Sequence, residues 1–381
     1  MEVILGPNTS LADIASWPLE AVDDVQFHFT HDSSFGLLSE AAGVAAYQAI
    51  RKNSRRVVVK IKYTTVEIMN LESYIKRSRV LYSIFGLNLI RTCDKLIDSS
   101  GRDIKDVVNK IIREELQHDR DGTIMRGEKT WVVSQWPAPP IPKCLAITGE
   151  QRPPEPQDVS ALLHQLRFRY EKDSRTAGGT WNLNQRPVVS FVYETFRNII
   201  EHARIEDSGC CGILVERITI ARAEDVARYV IDPSPLASYL KSFVGSDSGT
   251  RSVDFTGLTV FDYGAGIQNT LAGVPNESER QRVVRAFQKG VSSKPRSGTP
   301  YYGQGLTEVN LAANKLKAFV VVRSRGVLIS YDARKEIRVP LEDQPESISW
   351  RKAAADRVPG VSLSVVFPNK LIQRIQHSLE V

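Results

Sequence analysis

Glu194 and Asn198 stand four residues apart in Tyr193-Glu194-Thr195-Phe196-Arg197-Asn198. On a helix that spacing sends both side chains from one face, one turn apart. An amide oxygen is a neutral ligand for a hard cation such as magnesium, and a neighbouring carboxylate can take a proton from an attacking water. Phe191, Val192, Phe196, Ile199 and Ile200 supply the apolar side that would anchor such a helix. Taken alone, the pair is better explained by the solvated face of an amphipathic helix.

Two glycine turns lie further along the chain. Asp262-Tyr263-Gly264-Ala265-Gly266-Ile267 follows directly on the apolar run Leu258-Thr259-Val260-Phe261. An aspartate at a strand end has a carboxylate free to accept a hydrogen bond, and the exocyclic amino group of adenine is a donor of the right kind. Gly264 and Gly266 let the backbone turn tightly and come close to a ligand. Gly303-Gln304-Gly305-Leu306 precedes a helical pattern, where free backbone N–H groups and the helix dipole favour a phosphate. Between the two turns, Phe287 to Pro300 is rich in Gly, Ser, Pro and Lys, the composition of a lid with cations, Lys294 among them, for phosphate oxygens.

The order of these pieces resembles the GHKL superfamily, which groups gyrase, the heat-shock chaperone ATPase, histidine kinases and the mismatch-repair ATPase on the Bergerat ATP-binding fold. The likeness spans roughly residues 185–367. It implies ATP and Mg²⁺ as ligands, with Asn198 on the metal and Asp262 on the adenine amino group. Gly264 and Gly266 would shape the adenine end. Gly303, Gln304, Gly305, Leu306 and the lid residue Lys294 would hold the phosphates, and Glu194 falls at the place of the general base. Arg197 to Ala203 is most similar to the anti-sigma serine kinases and the sensor kinases. Two features depart from the pattern. Gly360 is followed by Val361 where the family has a threonine reaching the adenine network, so that contact is absent or is supplied by Ser362 or Ser364. The stretch from Arg222 to Arg251 has no counterpart and reads as loops around a short helix.

The elements that must position these residues follow from periodicity. Val159–Lys172, Arg186 to about Ala203, Glu277–Gly290 and Leu306–Leu316 read as helices. Ile213–Ala221, Gly257–Phe261, Ala318–Arg323, Val327–Tyr331 and Val361–Phe367 read as strands of a mostly antiparallel sheet. The expected fold is α/β (α+β), a two-layer sandwich over residues 158–381 joined to a smaller amino-terminal α/β domain. In that domain, over residues 1–135, Val25–Phe29 and Arg56–Ile61 read as strands. Phe35–Ile50 and Leu71–Phe85 read as helices, the second closed by Gly86. Residues 1 to about 20 give no clear element, Thr92–Gln117 looks helical, and Trp131–Val133 reads as a strand. This pattern resembles STAS-like domains, the small α/β modules of anti-sigma-factor antagonists. Two proline-rich pieces within residues 136–157 mark a semi-rigid linker between the domains.

The 381-residue chain has the composition of a soluble globular protein, 42% hydrophobic and 25% charged. Its net charge of +6 is modest, and the basic run Arg51 to Arg56 reads as a turn, so nucleic acid is not indicated. Cys93, Cys144, Cys210 and Cys211 lack metal-ligand spacing. With neither a leader nor a membrane-spanning run, a reduced, cytoplasmic setting is expected. Only a short tail follows Phe367, which argues against the gyrase type, and His164 has no acceptor-box flanks, which argues against a histidine kinase. His202 reads as a packing or capping residue of the Asn198 helix. An ATP-hydrolysing or phosphate-transferring regulator, such as a serine or histidine protein kinase, and a non-hydrolysing nucleotide sensor remain open. Glu194 favours the first. The amino-terminal domain is expected to carry a protein partner, and a homodimer is compatible with the family.

Overall fold

Short apolar–polar alternations build the first sheet. β1 (Glu2–Leu5), β2 (Asp24–Phe29), β3 (Arg56–Ile61) and β4 (Lys95–Ile97) lie side by side in chain order, every pair parallel. Parallel neighbours need crossover segments, here containing α1 (Leu11–Ala15), α2 (Glu40–Asn53) and α3 (Ile84–Thr92), with α4 (Lys105–Gln117) after β4. Phe27 meets Trp17, Tyr47 and Phe85 in inclined ring contacts at the centre of this unit. The computed structural model describes residues 1–17, 23–30, 33–61, 71, 74–75, 78–81, 83–117, 123–126, 129–133, 154–173, 183, 185–202, 211–230, 234–244, 252–288, 291, 305–335 and 358–369.

Three local expectations change. β1 and α1 occupy the stretch that gave no clear element; β1 alternates only twice, and α1 is short but closed by a Ser10–Asp13 capping box. Gly86 does not end a helix. It lies in the first turn of α3, donates to the Ser83 cap at 3.2 Å, and a Cβ there would come within 2.0 Å of the Val80 carbonyl oxygen. The span Thr92–Gln117 is not helical throughout, because β4 and a loop organised by the buried Asp98 precede α4.

The second sheet is antiparallel, in the order β10-β9-β11-β8-β7-β6-β5. Its strands are β5 (Thr123–Arg126), β6 (Lys129–Val133), β7 (Cys211–Ile220), β8 (Val253–Asp262), β9 (Phe319–Ser324), β10 (Val327–Asp332) and β11 (Val361–Pro368). β5 and β6 precede the proline-rich segment, yet β6 pairs with β7, Trp131 opposite Leu214. A domain boundary at residue 136 therefore cuts across this sheet. Of residues 136–157, only the last four are among the described residues.

Alternation gives the sheet two apolar faces. Val260, Leu363 and Val320 meet α5 (Pro156–Asp173), α6 (Arg186–His202) and α10 (Gly305–Lys315) on one side. Leu214, Ile218, Phe255 and Phe319 join the core of the amino-terminal unit on the other. There the backbone N–H of Leu38 donates to the buried Glu216 carboxylate at 3.0 Å, and that of Leu37 to the Tyr229 carbonyl at 2.9 Å. Leu37 and Leu38 lie so close over Gly257 that a Cβ there would stand 3.1 and 3.3 Å from their methyl groups. The 222–251 stretch contributes a 3₁₀ turn (Ala223–Arg228) and α7 (Pro235–Lys241) to the same face. The Tyr239 hydroxyl of α7 is 2.9 Å from the Lys317 carbonyl and 3.0 Å from that of Val366. The antiparallel sheet is thus a middle layer. Among the described residues no helix is long and apolar enough to cross a membrane.

Candidate functional site

Helix α6 begins at Arg186-Pro187, where proline loses no helical hydrogen bond. Val188, Val192, Phe196 and Ile199 recur at helical spacing and are buried against the sheet. The rotation that buries them leaves Glu194, Arg197, Asn198 and Glu201 half-buried along the flank. Asn198 Nδ2 donates to the Glu194 carbonyl at 2.7 Å, which fixes the amide and leaves Oδ1 as its open acceptor. Helix α10 packs beside α6 with its first residue against this pair. A Cβ on Gly305 would stand 3.0 Å from Asn198 Nδ2, 3.3 Å from Asn198 Oδ1 and 3.3 Å from Glu194 Oε2. Two motifs far apart in the chain meet here, and only glycine leaves the gap between them open.

Among the described residues, charge at this junction is predominantly negative. Arg197 Nη1 lies 3.5 Å from Glu194 Oε2, and Arg197 Nε 3.4 Å from Glu201 Oε1. Burial pushes the Glu194 carboxyl up; the Arg197 guanidinium opposes the rise, and the carboxylates of Glu308 and Glu201 add to it. A group poised in this way suits proton transfer better than an exposed carboxylate does.

Asp262 ends β8. Leu258 and Val260 face the helices, so Asp262, two residues on, belongs to the same face as α6 and α10. Its strand partner Cys211 opens β7, the next described element after α6. The carboxylate is 3% exposed, accepts from Gly264 N–H at 2.7 Å and is also bonded by the Val361 N–H. Burial pushes it up to about 6, against the pull of the two N–H groups and of the Arg323 guanidinium. Gly264 serves this turn with its own backbone, since its carbonyl also accepts from Gly360 N–H at 2.7 Å. Gly360 has φ +77 and a Cβ there would fall 1.8 Å from the Asp262 carbonyl oxygen, so glycine is obligatory. Gly266, with φ +85, starts α8 (Ile267–Thr270) against the Arg325 side chain.

Ser362 and Ser364 do not replace the missing threonine. Leu363 and Val365 face the helices, so both serines point the other way, and Ser364 Oγ is 2.8 Å from Thr259 Oγ1. Val361 reaches Asp262 through its backbone instead. Lys294, Gly303 and Gln304 lie outside the described residues. Leu306 is described, partly buried against the helix-side core. Thr307 Oγ1 donates to the carbonyl of Phe287, the residue that closes α9 (Glu279–Ala286), at 3.2 Å, so the start of α10 is fastened to the end of α9.

Sequence reasoning passed over four contributors. Arg197 and Glu201 were legible as an i, i+3, i+7 series with Glu194. The buried Gln268–Ser324 pair, 2.5 Å apart, braces the turn after Gly266 but has no sequence signal. Among the described residues no three His, Cys, Asp or Glu side chains are grouped to hold a metal ion. A cleft of about 450 Å³ lined by Glu2, Ile4, Pro7, Asp13 and Trp17 includes none of the residues above. No family model, curated protein or solved structure matches this chain.

Proposed function

We propose that the chain binds MgATP in a Bergerat-type site and hydrolyses it, coupling nucleotide state to engagement of a protein partner. The observation that carries this reading is the meeting of Gly305 with Glu194 and Asn198. A cation ligand, a carboxylate with a raised pKa and the open start of an eleven-residue helix converge on one gap. Magnesium fits this donor set, because it keeps several waters and takes few protein ligands beside phosphate oxygens. Asn198 Oδ1 would hold it, and when bound it would offset the charge of the phosphates beside Glu194 and Glu308.

Glu194 accepts a proton from water as that water's oxygen bonds to the γ-phosphorus. The bond to the bridging β-phosphate oxygen breaks, releasing ADP and phosphate. Asp262, on the same face, accepts the adenine amino hydrogen bond. We place partner engagement on the amino-terminal unit, which the Leu38–Glu216 hydrogen bond ties to the sheet.

Calorimetric ATP titration and phosphate release on the full chain test the reading. Glu194→Ala should keep ATP affinity and lose turnover, whereas Asp262→Asn should lose affinity. Parental hydrolysis rates in both variants would sink it. Labelled ATP incubated with isolated partners separates release of phosphate to water from transfer to protein.

A further inference from the structure

We infer that Arg197 is the positioning residue for Glu194, holding its carboxylate at the Gly305 gap; this rests on the ATP reading above. Three carboxylates crowd the junction: Glu194 and Glu201 on α6, and Glu308 on α10. Arg197 is the one cation among the described residues that acts on Glu194; no charged side chain described on α5 or on the sheet does so. Without it, repulsion from Glu201 and Glu308 would turn the Glu194 side chain out of the gap.

The spacing suits the task. Arg197 follows Glu194 by three residues and precedes Glu201 by four, so the three side chains share a helix face. The guanidinium presents two separate N–H groups held in a rigid plane, Nη1 towards Glu194 and Nε towards Glu201, where an ammonium would offer its donors from one freely rotating nitrogen. Glu194 and Glu201 keep only 13% and 22% of their side chains exposed, so the bridge is sheltered from solvent screening more than a surface pair would be. Glu194 Oε2, the oxygen nearest Arg197, is also the one beside Gly305. Arg197 therefore sets the position of the atom that meets the water.

The test compares the full-length parental protein with Arg197→Ala, Arg197→Lys and Glu201→Gln, measuring ATP affinity, kcat and melting temperature. Arg197→Ala should lower kcat about tenfold to a hundredfold, the scale of misplacing a catalytic group by an ångström. Its ATP affinity should stay within about twofold of parental, and Arg197→Lys should recover part of kcat. Glu201→Gln removes a repelling carboxylate and leaves Arg197 to Glu194 alone, so it should change kcat by less than Arg197→Ala does. An Arg197→Ala protein with parental kcat overturns the inference. So does equal loss in Arg197→Ala and Glu201→Gln in step with melting temperature, which marks a helix staple. Loss of ATP affinity in Arg197→Ala overturns it too, because the side chain would then bind nucleotide itself. A parental chain that neither binds nor hydrolyses ATP would instead remove the reading beneath it.

Discussion

Asp262→Asn should make the nucleotide-free protein more stable while destroying its affinity for ATP. Burial raises the Asp262 pKa from 3.8 to about 6. At 1.36 kcal/mol per unit, the charged carboxylate costs the fold about 3 kcal/mol at neutral pH. An asparagine of the same shape removes that cost. It also replaces one acceptor oxygen with a donor, where Gly264 and Val361 both present N–H groups, and losing one such bond offsets about 1 kcal/mol. The expected net gain is about 2 kcal/mol, read from urea unfolding near pH 7.5. Because the folded pKa lies above the unfolded one, the parental Asp262 favours folding fully only below about pH 4. That contribution disappears as pH rises through 6. The gap between variant and parent should therefore close as pH falls from about 7.5 towards 5. A variant less stable than the parent near pH 7.5, or a gap that widens on acidification, would refute the assignment of a buried charge to Asp262.

Three further substitutions probe separate parts of the structure. Gly305→Ala would place a Cβ 3.0 Å from Asn198 Nδ2. Melting temperature should stay near parental, since the Asn198 and Glu194 side chains need give only a few tenths of an ångström, while calorimetry should show ATP affinity down about tenfold. Glu216→Ala strips the buried Leu38 N–H of its 3.0 Å acceptor and should cost about 1–3 kcal/mol in urea unfolding; unchanged stability would contradict the bond between the amino-terminal unit and the antiparallel sheet. Tyr239→Phe removes the hydroxyl beside the Lys317 and Val366 carbonyls, with an expected loss of about 1–2 kcal/mol by the same measurement.

The helices and strands of the antiparallel half were legible because each has a long, regular apolar period. α6 and β8 sit within a few residues of where periodicity puts them. The meeting of Glu194 and Asn198 with Gly305 was legible only as an order of motifs. Its physical cause, the side-by-side packing of α6 and α10, depends on contacts between segments distant in sequence. The Asp262 turn was legible as a strand end followed by glycines, but not its dependence on Gly360. That glycine closes against Asp262 across the sheet, and no local pattern reports such an approach. Alternation along β11 would have excluded Ser362 and Ser364 from the Asp262 face, because Leu363 and Val365 must point to the core.

The proline-rich stretch shows a different limit of sequence reading. Proline marks where a chain cannot continue a helix or a central strand, which is a statement about a few residues. Where a folding unit ends is decided by which surfaces bury one another. Here β6 and β7 flank residues 134–210 and still share a ladder, Lys129 opposite Glu216 and Val133 opposite Gly212. Glu216 is also the acceptor for Leu38, and its partner in β8 is Gly257, the residue on which Leu37 and Leu38 rest. The amino-terminal unit, the strands before the prolines and the strands after them thus converge on one pair of positions in the middle layer. A fragment starting at residue 158 would lack β5 and β6, leave β7 as an open edge and uncover Leu214, Ile218 and Phe255. An exposed hydrophobic edge strand of that kind promotes aggregation. Such a fragment should precipitate or bind a hydrophobic dye where the full chain does not. A soluble, cooperatively melting fragment would show instead that the helix-side core folds without the layer beneath it.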